Sequence, residues 1–394
     1  MLDLISSYVV LGLSFDRLVP GFVDAYTGDP TLRTHVPSVV RPADLATEAR
    51  RLQAGLPDAG LAPDRTRFLA AQLRGLEMSA RVLAGEQVGF AEQVEAYFQA
   101  VPSMGDEQDY LSAHRALGDL LPGDEPLGER YAAYRVANEC PPARLGVVVD
   151  GLSSLLRDRV RERYPLDERE AVTYEVVDGK PWAGFNYYLG NFASNVAINS
   201  DLPVGLGRLP GLVAHESYPG HHTEHCRKER LLADRAEMHI FLVNTPECLM
   251  AEGLADLGLY ALDLETGWGP LAQELYADLG ISYDGERAVQ IAGALESLGS
   301  LSQDAALLLH DRGRPADEVV DSLRRWGLQP PQRARKSLEF LTDPLWRAYV
   351  STYVEGERLL RRWLEARPAD QSRQLRFARL LDECLTPAEL RESG

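Results

Sequence analysis

Side chains that can bind a metal are concentrated in one short segment of this 394-residue chain. Five of its eight histidines lie between positions 215 and 239, in the stretch HESYPGHHTEHCRKERLLADRAEMH. Imidazole nitrogens and carboxylate oxygens are ligands that zinc takes in hydrolytic sites, where three protein groups leave one position open. A largely apolar run, residues 209–214, leads directly into these ionisable groups, which packing alone does not explain. The segment therefore predicts a metal site.

The expected ligands begin with His215, and the general base is predicted to be Glu216. The pair resembles the start of the H-E-x-x-H helix of zinc hydrolases, where histidines at i and i+4 face one metal. Position i+4 is Pro219 here, so a regular helix cannot supply the second ligand. A kinked turn around the proline would bring His221 into that place. His222 stays an alternative ligand, although a straight helix puts it about 10 Å along the axis from His215.

A third protein ligand is expected on a later helix, and Glu252 suits this role. It lies 31 residues beyond His221, which leaves room for one helix and a turn. Thr245 followed by Pro246 is typical of a helix start, as N-cap and first helical residue. Glu247 competes for the same role, but its place in the first turn favours an exposed carboxylate that complements the helix dipole.

Around these residues the sequence resembles a bacterial family, the proteins of domain of unknown function 885, which are similar to gluzincin-type metallopeptidases. The H-E-x-x-P-G-H-H signature of that family matches residues 215–222. Its E-G-W-A segment matches residues 252–255, except that Leu254 stands in place of tryptophan. The resemblance implies a zincin-like helical metallopeptidase that uses Zn²⁺.

Two later family landmarks also have counterparts in this chain. The L-H-x-x-G element resembles residues 309–313, and the P…Y-x-x-G element resembles the segment from 344 to 356. The resemblance makes His310 and Tyr353 candidates for stabilising the oxyanion that forms when water attacks a carbonyl. An arginine expected some ten residues before His310 is absent from residues 294–309.

The elements that must position these groups are predicted to be mainly helices. Apolar residues recur every three to four positions from residue 2 to about 99, most clearly in residues 65–86, and helical patterning returns after residue 210. Residues 170–200 are instead rich in β-branched and aromatic types, with a turn signal at Asp178-Gly179. Two short strands are expected there, at about 171–177 and 193–199.

The expected fold class is therefore mainly α-helical, with a small antiparallel β-sheet next to the metal site. One domain, residues 1–394, is predicted, with an N-terminal helical part at 1–165, the sheet at 170–200, and a metal-binding and C-terminal helical part at 205–394. The strand at 193–199 precedes the metal helix and is expected to pair with an extended peptide. Asn195 and Ala197 are accordingly the predicted substrate-binding residues.

Composition limits the partners of the chain. A formal charge of −18 and a pI near 4.9 argue against nucleic acid and anionic lipid as partners. Four cysteines without a C-x-x-C pair favour a reducing compartment, so a cytoplasmic location is expected. The apolar N-terminus carries Asp3 in place of a basic segment and is interpreted as a packing helix rather than a signal peptide.

The predicted function is zinc-dependent hydrolysis of a peptide or small amide substrate by activated water. Two alternatives remain at this stage. One keeps the metal but acts as an amidase or tailoring enzyme on a small metabolite, and the other is a non-catalytic helical binding protein with a vestigial metal site. The natural substrate, the choice between exo- and endo-cleavage, and the oligomeric state are not predicted.

Overall fold

Helices dominate the chain in the computed structural model, which describes residues 2–180, 182–201 and 203–393. The mainly α-helical class is thereby confirmed. Seven helices precede the main sheet: α1 Leu4–Leu18, α2 Pro42–Gly55, α3 Pro63–Leu83, α4 Phe90–Phe98, α5 Glu107–Leu120, α6 Leu127–Ala137 and α7 Leu145–Arg163. The later helices are α8 Leu209–Glu216, α9 His221–Leu231, α10 Pro246–Asp256, α11 Gly258–Ala261, α12 Trp268–Asp278, α13 Gly285–Glu296, α14 Leu301–His310, α15 Ala316–Gly327, α16 Pro331–Thr342, α17 Val350–Glu365, α18 Arg373–Asp382 and α19 Pro387–Glu392. No described helix is both long and apolar enough to span a lipid bilayer.

Five strands form two small sheets. Strands β1 (Val23–Tyr26) and β5 (Ile240–Leu242) pair with each other, and β2 (Ala171–Val177), β3 (Gly184–Gly190) and β4 (Ala193–Asn199) form a three-stranded sheet in the order β2-β4-β3. The predicted strands at 171–177 and 193–199 are confirmed as β2 and β4. The expectation of a purely antiparallel sheet is wrong, because β2 and β4 run parallel. The unpredicted β3 turns tightly back onto β4 and pairs with it antiparallel, which leaves β4 in the centre.

Helix α10, which carries Glu252, runs between the two largest hydrophobic cores. Every residue from Pro246 to Ala255 is buried. Leu249 packs into a core built mainly by α1, α3 and α4, whereas Leu254 packs into a second core with α7 and α8. A helix buried on all sides cannot rotate its polar groups into water, so the position of the Glu252 carboxylate is fixed by packing.

Glu247, expected in an exposed first turn of this helix, is buried instead. Only 6% of its surface is exposed, and its carboxylate accepts from Gln72 at 3.2 Å and lies 3.8 Å from Lys228. The two cores enclose even the first turn of α10, which the local sequence does not reveal. The carboxylate oxygens of Glu247 thus contact Gln72 and Lys228, which lie outside the cluster of His215 and His221.

Two glycines let α10 and α17 approach each other closely. A Cβ added to Gly253 would lie 2.4 Å from the carbonyl carbon of Gly356, and one added to Gly356 would lie 2.6 Å from the carbonyl oxygen of Leu249. Backbone atoms cannot make room as a flexible side chain can. The close crossing brings the start of α17, with Tyr349 and Tyr353, toward Glu252.

We expect Gly253→Ala to lower the free energy of unfolding by about 3 kcal/mol, since the methyl group forces the helices apart. Urea unfolding monitored by circular dichroism measures the change. Gly293→Ala is the matched control within a helix, where an added Cβ meets no atom within 4 Å; it should be neutral or stabilising by up to about 1 kcal/mol. Equal stability of the two variants would contradict the close crossing.

Candidate metal centre

The turn between α8 and α9 places the two histidines. Helix α8 ends at Glu216 and α9 begins at His221, so the expected kink around Pro219 is present. The amide of Gly220 donates to the carbonyl of Ala214 at 2.9 Å. A Cβ on Gly220 would lie only 1.8 Å from the carbonyl oxygen of His215, so only glycine fits this approach. Because of this break, α9 begins with His221 facing the C-terminal end of α8.

His215, His221 and Glu252 converge on one point. The two Nε2 atoms lie 3.1 Å apart. The Glu252 Oε2 atom is 3.3 Å from Nε2 of His215, and its Oε1 atom is 3.5 Å from Nε2 of His221. Glu216 also reaches this place, since one of its oxygens and a nitrogen from each histidine all lie within 4.8 Å of one another. Three of the predicted residues and the predicted base are thus brought together.

The chemistry of this donor set fits a bound cation. The Nε2 atoms of the two histidines face each other, so between neutral rings one donates to the other, and that proton is then not available to Glu252 or Glu216. Among the described residues, the buried Oε2 atom of Glu252 makes no hydrogen bond of acceptable geometry, although Nε2 of His215 lies 3.3 Å away. Glu252 is 5% exposed and Glu216 also 5%. Such orphaned buried acceptors beside two imidazoles fit the His₂Glu ligand set of catalytic zinc sites.

Two residues that the sequence did not indicate hold these ligands in place. Asp256 accepts from or shares a proton with Nδ1 of His215 at 2.8 Å, and the Tyr349 hydroxyl donates to Oε1 of Glu252 at 2.6 Å. A carboxylate behind a metal-binding histidine sets the tautomer that leaves Nε2 free for the metal. Asp256 stands four residues after Glu252 on α10, and this i, i+4 spacing was a usable signal.

Burial and charge separate the roles of the two glutamates. Burial raises the pKa of Glu216, although the charges of His215 and His221 oppose the shift. Burial acts in the same direction on Glu252, but the nearby His221 and His215 outweigh it and lower the pKa of that carboxyl. The carboxyl of Glu252 therefore loses its proton more readily than that of Glu216.

His222, the alternative second ligand, faces another part of the molecule. Its Nδ1 atom is 2.8 Å from the Ser194 hydroxyl and its Nε2 atom is 3.2 Å from Oε2 of Glu170. The ring is fully buried, which lowers its pKa. One residue further along α9 turns the side chain by about 100° away from His221. Both ring nitrogens of His222 are occupied outside the cluster.

Glu170 is the centre of a buried polar network that no sequence motif indicated. One of its oxygens pairs with Arg157 at 2.6 Å and Arg161 at 2.7 Å, and the other accepts from the Tyr218 hydroxyl at 2.6 Å and lies near His222. The network ties α7 to the turn that positions His221. Burial raises the pKa of Glu170, but the hydrogen bonds from His222, Tyr218 and Arg157 outweigh it and lower that pKa to about 2.

Because the folded state holds the Glu170 pKa low, we expect its contribution to stability to be complete above the ordinary value of 4.5 and lost as the pH falls toward about 2. Glu170→Gln should lower the free energy of unfolding by about 3 kcal/mol at pH 7 and by clearly less at pH 3. Urea unfolding at both pH values measures this, with the exposed Glu168→Gln as control. A loss independent of pH would contradict the ionic network.

The two candidates for oxyanion stabilisation have different positions. The Tyr353 ring centroid lies 6.4 Å from that of His215, at the exposed side of the cluster. His310 stacks on Phe90 and its Nε2 atom bonds to the carbonyl of Leu341 at 2.7 Å. None of these partners belongs to the metal cluster, so His310 does not reach a carbonyl bound there. Only Tyr353 of the two lies beside the ligands.

The predicted substrate-binding residues lie on the wrong strand. Asn195 and Ala197 belong to β4, whose backbone pairs with β2 on one side and β3 on the other. A strand with both edges paired has no groups left for a peptide, so this expectation is wrong. The Asn195 side chain instead bonds to Thr173 and Glu175 of β2.

Strand β3 is the strand that passes the base. The Asn186 amide donates to the backbone carbonyl of Glu216 at 2.7 Å. A Cβ on Gly184 would lie 2.9 Å from Oε1 of Glu216, so the glycine allows the strand to approach the carboxylate. Within the described ranges β3 is an edge strand of its sheet. Residues 184–190 carry aromatic types, but the two strands expected from the sequence, at 171–177 and 193–199, do not include them.

Comparisons with known proteins bear on the fold. No family model matches the chain, and no curated protein matches it significantly. A solved structure from Colwellia psychrerythraea, described as a "putative lipoprotein", has a TM-score of 0.52 and 15% identity over 89% of this chain and 65% of that one. One from Shewanella oneidensis, described as a "putative lipoprotein of unknown function", has a TM-score of 0.50 and 14% identity over 89% of this chain and 72% of that one. This chain thus spans less than two thirds of the Colwellia protein, and the likeness concerns the fold alone.

Proposed function

We propose that this protein is a zinc-dependent hydrolase that cleaves peptide bonds or closely related amide bonds. The observation that carries the proposal is the convergence of His215, His221 and Glu252 beside Glu216, with a buried Glu252 oxygen that makes no hydrogen bond of acceptable geometry in the described part of the chain. Zinc bound by these three groups supplies a Lewis acid that polarises a carbonyl and lowers the pKa of water.

Glu216 acts as the general base. Its carboxylate is buried beside the cluster, and its backbone carbonyl is anchored by Asn186, so the side chain has a defined position. It takes a proton from the attacking water and delivers it to the leaving amine. Tyr353 lies on the open side of His215 and donates a hydrogen bond to the developing oxyanion.

A peptide substrate is favoured by the edge strand. Strand β3 runs past Glu216, and no strand of the described chain is hydrogen-bonded to its outer edge. An extended peptide that pairs with this edge presents one carbonyl after another toward the cluster. The resemblance to the domain of unknown function 885 family, carried by residues 215–222 and 252–255, agrees with this class of reaction.

Metal removal tests the proposal directly. Purified protein should contain one zinc per chain by elemental analysis and should cleave members of a panel of short peptides with free and blocked termini. Dialysis against a chelator should abolish cleavage, because the water then loses the cation that lowers its pKa, and one equivalent of zinc should restore it. Protein that binds no divalent metal, or that keeps its activity after verified metal removal, contradicts the proposal.

A further inference from the structure

A second cavity lies apart from the metal cluster, between α3, α4 and the segment that leads into α17. Its volume is about 810 Å³, within the range of pockets that hold small organic ligands. None of the proposed zinc ligands, nor Glu216, lines it. Much of its wall is apolar and aromatic, with Phe22, Val82, Phe90 and Trp346 among the lining residues.

The cavity wall carries one permanent positive charge, that of Arg347. Its Nη2 atom donates to Oε1 of Gln93 at 2.9 Å, and its Nε atom is buried without a hydrogen-bond partner. Within residues 2–180, 182–201 and 203–393, the side chain of Arg347 is hydrogen-bonded to the neutral Gln93 and forms no ion pair with a carboxylate. In a chain with a net charge of −18, this half-buried guanidinium thus keeps a positive charge that no acidic partner among the described residues neutralises.

The two acidic residues of the cavity wall have other partners. Glu86 pairs with Arg81, whose Nε atom donates to its Oε2 at 2.8 Å. Asp343 accepts from the backbone amides of Leu345 at 2.8 Å and Trp346 at 3.2 Å. These carboxylates are thereby satisfied, and the Nη1 atom of Arg347, which has no hydrogen-bond partner among the described residues, stays available for an external anion.

The remaining basic side chain of the wall is neutral. Burial lowers the pKa of His310, and its Nε2 atom is engaged by the carbonyl of Leu341. His310 and Phe90 stack with their ring centroids 5.4 Å apart and form a flat aromatic surface. His310, which does not reach the cluster of His215 and His221, thus belongs to the wall of this second cavity.

We propose that this cavity binds an amphipathic carboxylate, with the anionic group on Arg347 and the apolar body against Phe22, Phe90 and Trp346. A planar guanidinium with free donors matches a carboxylate, and the aromatic walls bury an apolar or aromatic substituent. Two sources share this chemistry, the C-terminus of a peptide and a free organic acid. The proposal does not depend on the hydrolase activity.

Titration calorimetry on the full chain tests the proposal with N-acetyl-L-phenylalanine as probe and its amide as the uncharged counterpart. The acid should bind at one site, and the amide at least tenfold more weakly, because it cannot form the charged pair with Arg347. Arg347→Gln should weaken binding of the acid by at least tenfold, while Arg314→Gln, an exposed arginine paired with Glu318, should leave it unchanged. The same titrations after zinc chelation exclude a carboxylate bound by the metal, so this test stands even if the protein has no hydrolase activity.

A second variant guards against a structural effect of the arginine substitution. Val82→Trp fills the cavity from α3 without removing the charge, and it should also abolish binding while the melting temperature stays near that of the unaltered chain. No binding of the acid, equal binding of acid and amide, or unchanged binding to Arg347→Gln would overturn the proposal. Tighter binding of the acyl amino acid than of 3-phenylpropanoate assigns the site to peptide C-termini, and the reverse order assigns it to free acids.

Discussion

Glu216→Gln should lower kcat by about 10²- to 10⁴-fold on the peptide that the unaltered chain cleaves fastest, with the zinc content kept at one per chain. The amide of glutamine has almost the same shape as the carboxylate but does not accept a proton from water. The backbone carbonyl at position 216 still accepts from Asn186, so the end of α8 should keep its position. The substitution therefore removes proton transfer and little else.

The zinc measurement decides between two assignments of the glutamates. The oxygens of Glu216 lie near both histidines, as do those of Glu252. If Glu216 were the ligand, Glu216→Gln would lose the metal together with the activity. The hydrogen bond from Tyr349 to Glu252 and the approach of one Glu252 oxygen to each Nε2 atom favour Glu252 as the ligand.

Glu318→Gln provides the matched control for this experiment. Its carboxylate is exposed on α15 and pairs only with Arg314, so the same chemical change there should alter neither kcat nor zinc content. Steady-state kinetics and elemental analysis on both variants give the comparison. Full activity in Glu216→Gln would remove the proposed mechanism, and an equal loss in both variants would point to a general effect on folding.

The parts of the site that depend on neighbouring residues could be predicted from the sequence. Proline and glycine at positions 219 and 220 indicated a kink, and the structure has one there, with Gly220 packed against the carbonyl of His215. Glu252 was predicted from its spacing and from the helix start at Thr245 and Pro246, where α10 does begin, and the match of residues 252–255 to the family's E-G-W-A segment agreed with it. These features depend on residues close in sequence, where turn chemistry and helix periodicity act.

The non-local part could not be inferred in the same way. The enrichment in β-branched and aromatic residues predicted β2 and β4, but strand order depends on β3, which lies between them in sequence and at the edge of the sheet in space. In this order β4, which carries Asn195 and Ala197, is the central strand and not an edge strand. His310 was named by resemblance only, and its position follows from how α14 packs on α4, which no local pattern encodes.

Zinc binding should depend on His221 and not on His222. We expect His221→Ala to lower zinc affinity by more than about 100-fold, beyond the effect of losing an outer partner of a ligand. His222→Ala should keep one zinc per chain, because both of its ring nitrogens are engaged by Ser194 and Glu170 rather than by the cluster. Competition with a chromophoric zinc chelator measures both affinities.

The free energy of unfolding should fall more in His222→Ala than in His221→Ala. His222 is fully buried, and its removal leaves the Ser194 hydroxyl and one oxygen of Glu170 without that partner, so His222→Ala should lose about 1–3 kcal/mol of unfolding free energy. His221 lies at the partly open cluster, and its removal relieves the close contact with His215 in metal-free protein. His222→Ala is thus the control for the zinc affinity of His221→Ala, and His221→Ala is the control for the stability of His222→Ala. Loss of zinc in His222→Ala with retention in His221→Ala would exchange their roles and contradict the geometry of the turn, since α9 would then have to begin one residue later to turn His222 toward His215.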